Sequence, residues 1–284
     1  MARAVVVILD SFGLGATPDA DRFGDRGADT LGHIAQWCVD AGRPLQLPAL
    51  ARMGLPQAAH AATGRWPAGI PRHARPHGAF GAARETSRGK DTPSGHWELM
   101  GCPVAFDWGY FKPAQDPAQS VFPPELMRRW YAACQLEGSL CNRHMSGTDV
   151  LVRFGDAHVS TGWPICYTSS DSVFQVAAHE AHFGLERLYR ICEIAKPLFD
   201  EVGIARVIAR PFAGTAGSYR RTGGRHDYTT PPPAPTLLDA LVGAGREGHA
   251  VGKISDIFAG RGITHGYPAE GNAALCERTL EALA

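Results

Sequence analysis

The chain has 284 residues, 44% hydrophobic and 20% charged, and its 28 Lys+Arg cancel its 28 Asp+Glu. This is the composition of a globular protein of one large or two ordinary domains, with no basic field to draw nucleic acid or an acidic membrane surface. No stretch approaches the roughly 20 apolar residues of a membrane span. The 7 cysteines are odd in number and include no Cys-x-x-Cys, so they read as reduced thiols of a cytoplasmic protein, not as a disulfide frame or zinc site.

Ala4–Leu9 is a continuous β-branched run, expected as a strand buried on both faces of a parallel sheet and too short for a signal peptide. It ends at Asp10, where open α/β sheets place their chemistry. Gly13 and Gly15 invite a dinucleotide reading, but Pro18 occupies the third glycine position and Asp10 would repel a pyrophosphate. A carboxylate there can instead hold a divalent cation; a turn cap is the bland alternative. Asp29 caps a predicted helix that begins at Thr30. Residues 55–77, rich in Pro, Gly, Ala, His and Arg, read as a long surface loop, and Gly78–Ala83 as a short strand.

The stretch Glu85–Met100 is the most informative of the chain. Pro93 suits the first turn of a helix, which makes Thr92 the expected N-cap, its hydroxyl lying among the unbonded amides of the helix start. That position attracts phosphate, so a hydroxyl held there could carry a phosphoryl group; the bland reading is a cap and nothing more. Lys90 could meet an anion, and Asp91 could hold a cation or orient a neighbour. A P-loop is excluded, because Arg84 and Asp91 stand where that motif needs Gly and Ser or Thr.

From about Ala105 aromatic residues and prolines cluster, and a proline-started helix is predicted over Pro123–Ala133. Strands are expected at Val150–Arg153 and Pro164–Thr168, a long helix at Leu185–Leu198, and an apolar strand at Arg206–Phe212. These mixed short elements suggest a separate α+β domain. His179-Glu-Ala-His182 is not a zincin, whose pattern has one more residue before the second His. Arginines such as Arg210 and Arg225 suit bidentate phosphate binding and an aspartate such as Asp171 suits sugar hydroxyls; a surface ion pair is the bland reading of each. A proline run over Pro231–Pro235 precedes a helix capped by Thr236, and Asn272–Leu283 reads as the last helix.

Gly89–Glu98 matches the pattern Gly-Lys-Asp-Thr-x-x-Gly-His-Trp-Glu, and in this the chain resembles the phosphopentomutases of the alkaline-phosphatase superfamily. The segment Thr168–Glu180, the strand ending in Arg210-Pro-Phe, the turn at Arg225-His-Asp, and Gly252-Lys-Ile-Ser-Asp-Ile-Phe258 carry the resemblance onward; Gly224 departs from the family's usual Asn. The resemblance implies an α/β fold: an incomplete alkaline-phosphatase-like core with a mainly parallel sheet (1–104 and 223–284) and an inserted α+β cap (105–222). It implies Thr92 as the phosphorylated nucleophile, Asp171, Arg210, Arg225 and Lys253 as contacts to a pentose phosphate, and Asp10 with Thr92 as ligands of a two-Mn2+ centre. The activity implied is interconversion of (deoxy)ribose 1-phosphate and 5-phosphate through a phosphothreonine and a bisphosphate.

The family's further metal-binding motifs, Ala-Asp-His-Gly among them, do not occur in this sequence. The expectation is therefore a truncated chain, inactive as it stands and without a full Mn2+ complement. The alternatives are a non-catalytic remnant, a half that needs a complementing C-terminal chain, or a related phosphatase or phosphoglycerate-type mutase.

Overall fold

The computed structural model describes residues 3–73, 75–116 and 119–283. The chain forms two compact units, Met1–Glu85 and Thr86–Ala284.

In the first unit, α1 (Thr30–Asp40), α2 (Pro48–Met53) and α3 (Leu55–Thr63) enclose a small core of Leu31, Ala35, Ala51, Ala59 and Ile70. The Asp29 carboxylate caps α1 by accepting the Gly32 N–H at 3.1 Å. The expected loop at 55–77 is corrected over its first part, which is α3. Pro56 sits in the first turn of that helix, and Gly54 and Gly64 flank it in left-handed conformations. Proline and glycine here delimit a helix where they had suggested a loop. Residue 74 of that stretch lies outside the described residues.

Two strand expectations in this unit fail. Ala4–Leu9 is not a strand, and Val5 and Val7 are 52% and 69% exposed; Gly78–Ala83 is irregular. The described secondary structure of the unit is otherwise helical, so neither run has a strand beside it to take up its backbone hydrogen bonds.

The second unit runs α4 (Thr92–Leu99), α5 (Pro124–Cys134), β1 (Leu140–His144), α6 (Asp149–Thr161), β2 (Ile165–Thr168), β3 (Val173–His179), α7 (Leu185–Asp200), β4 (Arg206–Ala213), β5 (Arg220–Arg221) and β6 (His226–Thr229). It ends with α8 (Leu237–Gly243), β7 (His249–Val251), α9 (Ile254–Ile257), β8 (His265–Tyr267) and α10 (Asn272–Leu283). Six of the strands form a mixed sheet in the order β1-β2-β3-β4-β5, with β6 also on β4. β3 and β4 pair in parallel from Val173↔Arg206 to His179↔Phe212, with α7 as their crossover. β2 runs antiparallel to β3, and β6 antiparallel to β4. Five of its six strands lie within the stretch expected as an α+β domain, and a mixed sheet is in keeping with that class. β7 and β8 form a separate parallel pair.

Strand alternation gives the six-stranded sheet two unlike faces. Phe174, Val176, Val207 and Ala209 point into a core with Trp130 of α5 and Leu188, Ile191 and Phe199 of α7. Phe174 stacks on Phe199 at 3.9 Å between ring centres and meets Trp130 edge-on at 5.3 Å. On the opposite face, Tyr167, Ala177 and Phe212 pack with Val150 and Leu151 of α6. The expected strand at Val150–Arg153 is corrected to the start of this helix: Val150, Leu151, Phe154 and His158 share its inward face, a helical spacing too short to recognise in a four-residue window. Thr236 closes a full capping box at α8 with Asp239.

His158 ties α6 to β3. Its Nε2 accepts the His179 N–H at 2.9 Å, and its Nδ1 lies 2.7 Å from the Trp163 carbonyl, which fixes a neutral ring with the proton on Nδ1. Burial lowers its pKa below the ordinary 6.5. The unfolded chain therefore takes up a proton here at a pH where the folded chain does not, so stability falls as pH drops below about 6.5. A urea-melt series from pH 7.5 to 5 should show this fall, and His158→Gln should flatten it while lowering stability at pH 7.5. An unchanged pH slope in the variant would contradict the assignment.

Candidate active site

The residues matched around Thr92 form a loop and helix start held from several sides. Gly89 adopts φ +86°, and a Cβ there would lie 2.7 Å from both the Trp108 ring and the Tyr110 hydroxyl, so only glycine fits. Tyr110 accepts the Lys90 N–H at 2.6 Å. Trp97 donates its indole N–H to the Ile257 carbonyl and Trp108 donates to the Ser94 hydroxyl, each at 2.9 Å. Glu98, one turn beyond Ser94, reaches back to accept the N–H groups of Thr86 and Ser87 at 2.8 and 2.7 Å, and the Thr86 hydroxyl at 2.7 Å.

The helix begins one residue earlier than expected. Asp91, in extended conformation, occupies the N-cap position and Thr92 the first helical one. The Asp91 side chain makes no cap hydrogen bond because Arg206 claims it: Nε and Nη2 reach its two oxygens at 2.7 and 3.2 Å. Thr92 is half-buried, and its hydroxyl makes no hydrogen bond among the described residues. Ser94, two positions on, is fully buried.

Arg206 is the site residue that the sequence did not disclose. It is 3% exposed, at the start of β4, and besides Asp91 it meets Asp227 at 3.0 Å and Asp171 at 3.8 Å. Its only sequence signal was position: it lies four residues before Arg210 on one strand, which places both on the same face. Asp227 also accepts two hydrogen bonds from Arg225, both at 2.7 Å. Burial works against ionisation of Asp227, but the hydrogen bonds and charge of Arg225 and the charge of Arg206 outweigh it and hold the carboxyl at about 2. At Asp91 the balance differs: burial, opposed by Arg206 alone, pushes it up to about 7.

Beside this network lies an excess of positive charge. Burial and the nearby cations Arg225 and Arg221 bring Arg210 down to about 10, and its Nε donates to Gln175 at 3.1 Å. The Tyr167 ring is 1% exposed, and its hydroxyl, without a partner of full hydrogen-bond geometry among the described residues, lies beside the Arg221 guanidinium. A Cβ on Gly147 would strike the Arg221 guanidinium and the same phenol, so these two groups converge over that glycine. A buried phenol beside mutually repelling guanidiniums can receive an anion. Gly224 sits closely packed, since a Cβ there would lie 3.1 Å from Leu185, Pro211 and the Tyr189 hydroxyl, and the family's usual Asn would need these neighbours to give way slightly.

The structure therefore brings Asp171, Arg210 and Arg225 together with the Thr92 segment, through Arg206 and through Lys90, whose Nζ donates to the Ser170 hydroxyl at 3.3 Å. Lys253 is the half-buried N-cap of α9, whose Asp256 accepts the Asp227 N–H at 3.1 Å. Asp10 lies exposed in a turn of the first unit. The donors around Thr92 do not make up a divalent-metal site: the Asp91 carboxylate is committed to Arg206. Among the described residues, the only group of three His, Cys, Asp or Glu ligands within coordinating reach is Glu247, His249 and His265, which includes neither Asp10 nor a neighbour of Thr92.

A family model described as Metalloenzyme superfamily matches residues 2–272. Phosphopentomutase from Rhizobium meliloti (strain 1021) is 55% identical over 292 residues, taking in 100% of this chain and 71% of that protein. Phosphopentomutase from Rhizobium rhizogenes (strain K84 / ATCC BAA-868) is 53% identical with the same coverage. That of Idiomarina loihiensis is 53% identical over 284 residues, 100% of this chain and 70% of its own.

Glu98 offers a local test of the site's architecture. Burial of its carboxylate is outweighed by the hydrogen bonds from Ser87 and Thr86, which hold it at about 2 against an ordinary 4.5. The lowered value means that its contribution is complete above about pH 4.5 and is lost as pH falls towards 2. Glu98→Gln should cost about 1 kcal/mol at pH 7, a figure reduced for solvent screening, and lessen acid sensitivity in that window. Chemical melts of both proteins from pH 7 to 3 check this; parallel curves would contradict it.

Proposed function

Because the chain belongs to the phosphopentomutases of the metalloenzyme superfamily, we propose that it interconverts (deoxy)ribose 1-phosphate and (deoxy)ribose 5-phosphate with Thr92 as phosphoryl carrier. The observation that carries this reading is the placement of the Thr92 hydroxyl, unbonded among the described residues, directly after Asp91, whose salt bridge to Arg206 joins it to the loop of Asp171 and to the face that bears Arg210 and Arg225.

In this reading Arg210, Arg225 and Arg221 hold the phosphate that is not reacting, with the Tyr167 hydroxyl donating to one of its oxygens. Asp171 accepts from a sugar hydroxyl. The free C5 hydroxyl of the 1-phosphate attacks the phosphorus on Thr92; the bond from phosphorus to the Thr92 oxygen breaks as the new P–O bond forms, and the hydroxyl proton is released. The bisphosphate then turns over, and its 1-phosphate passes back to the Thr92 oxygen, leaving the 5-phosphate. Lys90, whose Nζ reaches the Ser170 hydroxyl, suits the transferring group as a cation. We propose residues 105–222 as a cap whose sheet is completed by β6.

The superfamily uses divalent metal, and Mn2+ is the ion we propose, with Asp10 and Thr92 as the donors this chain brings. Mn2+ takes about six donor atoms in an octahedral site. The residues around Thr92 do not supply them, so no step above is assigned to a metal.

The test is phosphoryl incorporation. With ribose 1,5-bisphosphate and Mn2+, the chain should gain one phosphate, mapped by mass spectrometry to Thr92; Thr92→Ala should lose it and Ser94→Ala keep it. Incorporation at Ser94, or none in the unaltered chain, would contradict the reading.

A further inference from the structure

The β7–β8 pair carries a cluster that the proposed reaction does not use. His249 and His265 face each other directly across the parallel register, their rings stacked at 4.6 Å and inclined by 21°. Glu247 closes the group, with its carboxylate 3.0 Å from His249 Nε2. One ligand atom from each of the three lies within 4.8 Å of the others, and all three residues are exposed to solvent.

Two further contacts distinguish this cluster from a chance surface ion pair. The Tyr267 hydroxyl lies 3.0 Å from His249 Nδ1, the ring nitrogen turned away from Glu247. The Thr264 hydroxyl lies 2.9 Å from His265 Nδ1. Each imidazole is thus oriented by a neighbouring hydroxyl, the arrangement that fixes ring pose and tautomer in metal-binding histidines. Thr264 is itself anchored, since its hydroxyl accepts the Gly248 N–H at 3.0 Å. The histidines project from paired backbone, so their spacing is set by the strand separation and not by loop conformation.

We propose that Glu247, His249 and His265 form a surface binding site for a divalent transition metal. Two imidazoles and one carboxylate suit Zn2+ best, with the fourth tetrahedral position open to water. Mg2+ and Ca2+, which take oxygen donors, are disfavoured by the same ligand set. The site is separate from the Thr92 centre, shares no residue with it, and stands whether or not the chain turns over a pentose phosphate.

The experiment is titration of the full chain with Zn2+ by calorimetry, paralleled by Co2+ absorption spectra that report ligand type. We expect one ion per chain, a tetrahedral Co2+ spectrum without thiolate charge-transfer bands, and loss of binding in both His249→Ala and His265→Ala. Tyr267→Phe, which removes only the orienting hydroxyl, should weaken binding by about tenfold. Circular dichroism of each variant guards against misfolding. Binding unchanged in either histidine variant, a thiolate signature from the cysteines, or no saturation with Zn2+ at high micromolar concentration would overturn the proposal.

Discussion

One buried guanidinium holds the second unit's chemistry in place. Arg206 sits at the start of β4 with its side chain almost wholly enclosed, bonded at once to Asp91 from the α4 start and to Asp227 from β6. Either contact alone would be an interior ion pair of uncertain net benefit, because removing both charges from water is costly. Together with Arg225 they form an alternating chain, Asp91–Arg206–Asp227–Arg225, in which each charge has an opposite neighbour. The gain is geometric. A segment with little hydrophobic grip of its own, running from Gly89 to Thr92, is pinned to the rigid middle of a sheet whose far face is a dense aromatic core.

That pinning sets what the site can do. The alternating chain pairs Asp91 and Asp227 with Arg206 and Arg225, while Arg210, bonded to neutral Gln175, lies under the positive charge of Arg225 and Arg221. Burial, with repulsion from Arg225 and then Arg221, brings Arg210 down to about 10. A phosphate dianion entering there would relieve that repulsion and accept from the phenol. The Thr92 hydroxyl follows Asp91 of that salt bridge and makes no hydrogen bond among the described residues, while Ser94 is locked under Trp108.

The fold was legible wherever local chemistry and tertiary packing agreed. Asp29, Pro124 and Thr236 mark their helices because capping is decided within a few residues. The run Arg206–Ala213 declares itself as a strand through β-branched and apolar residues bounded by charge. The failed strands have one cause: a strand is a relation between two segments, and a sequence window sees one. Ala4–Leu9 has the composition of a buried strand, yet no described partner pairs with it. Val150–Arg153 has the residues of a strand but continues to Phe154 and His158 with helical spacing. In the site, Thr92, Asp171, Arg210 and Arg225 were readable from motifs, whereas Arg206 looked like the polar edge of a strand. Its role comes from Asp91, 115 positions away. The Tyr167 hydroxyl and Arg221 were hidden for the same reason, since convergence over Gly147 is a property of the folded chain.

The central claim, that Arg206 positions the Thr92 segment through Asp91, is tested most directly by a double-mutant cycle on that pair, read by chemical denaturation and by amide exchange across Ser87–Leu99. The account predicts that Arg206→Met costs about 3–5 kcal/mol, because it strands two buried carboxylates. Asp91→Asn introduced into that variant should then cost much less than it does alone, and Ser87–Leu99 should lose exchange protection in both single variants. Strictly additive losses, with protection of that segment unchanged, would contradict it.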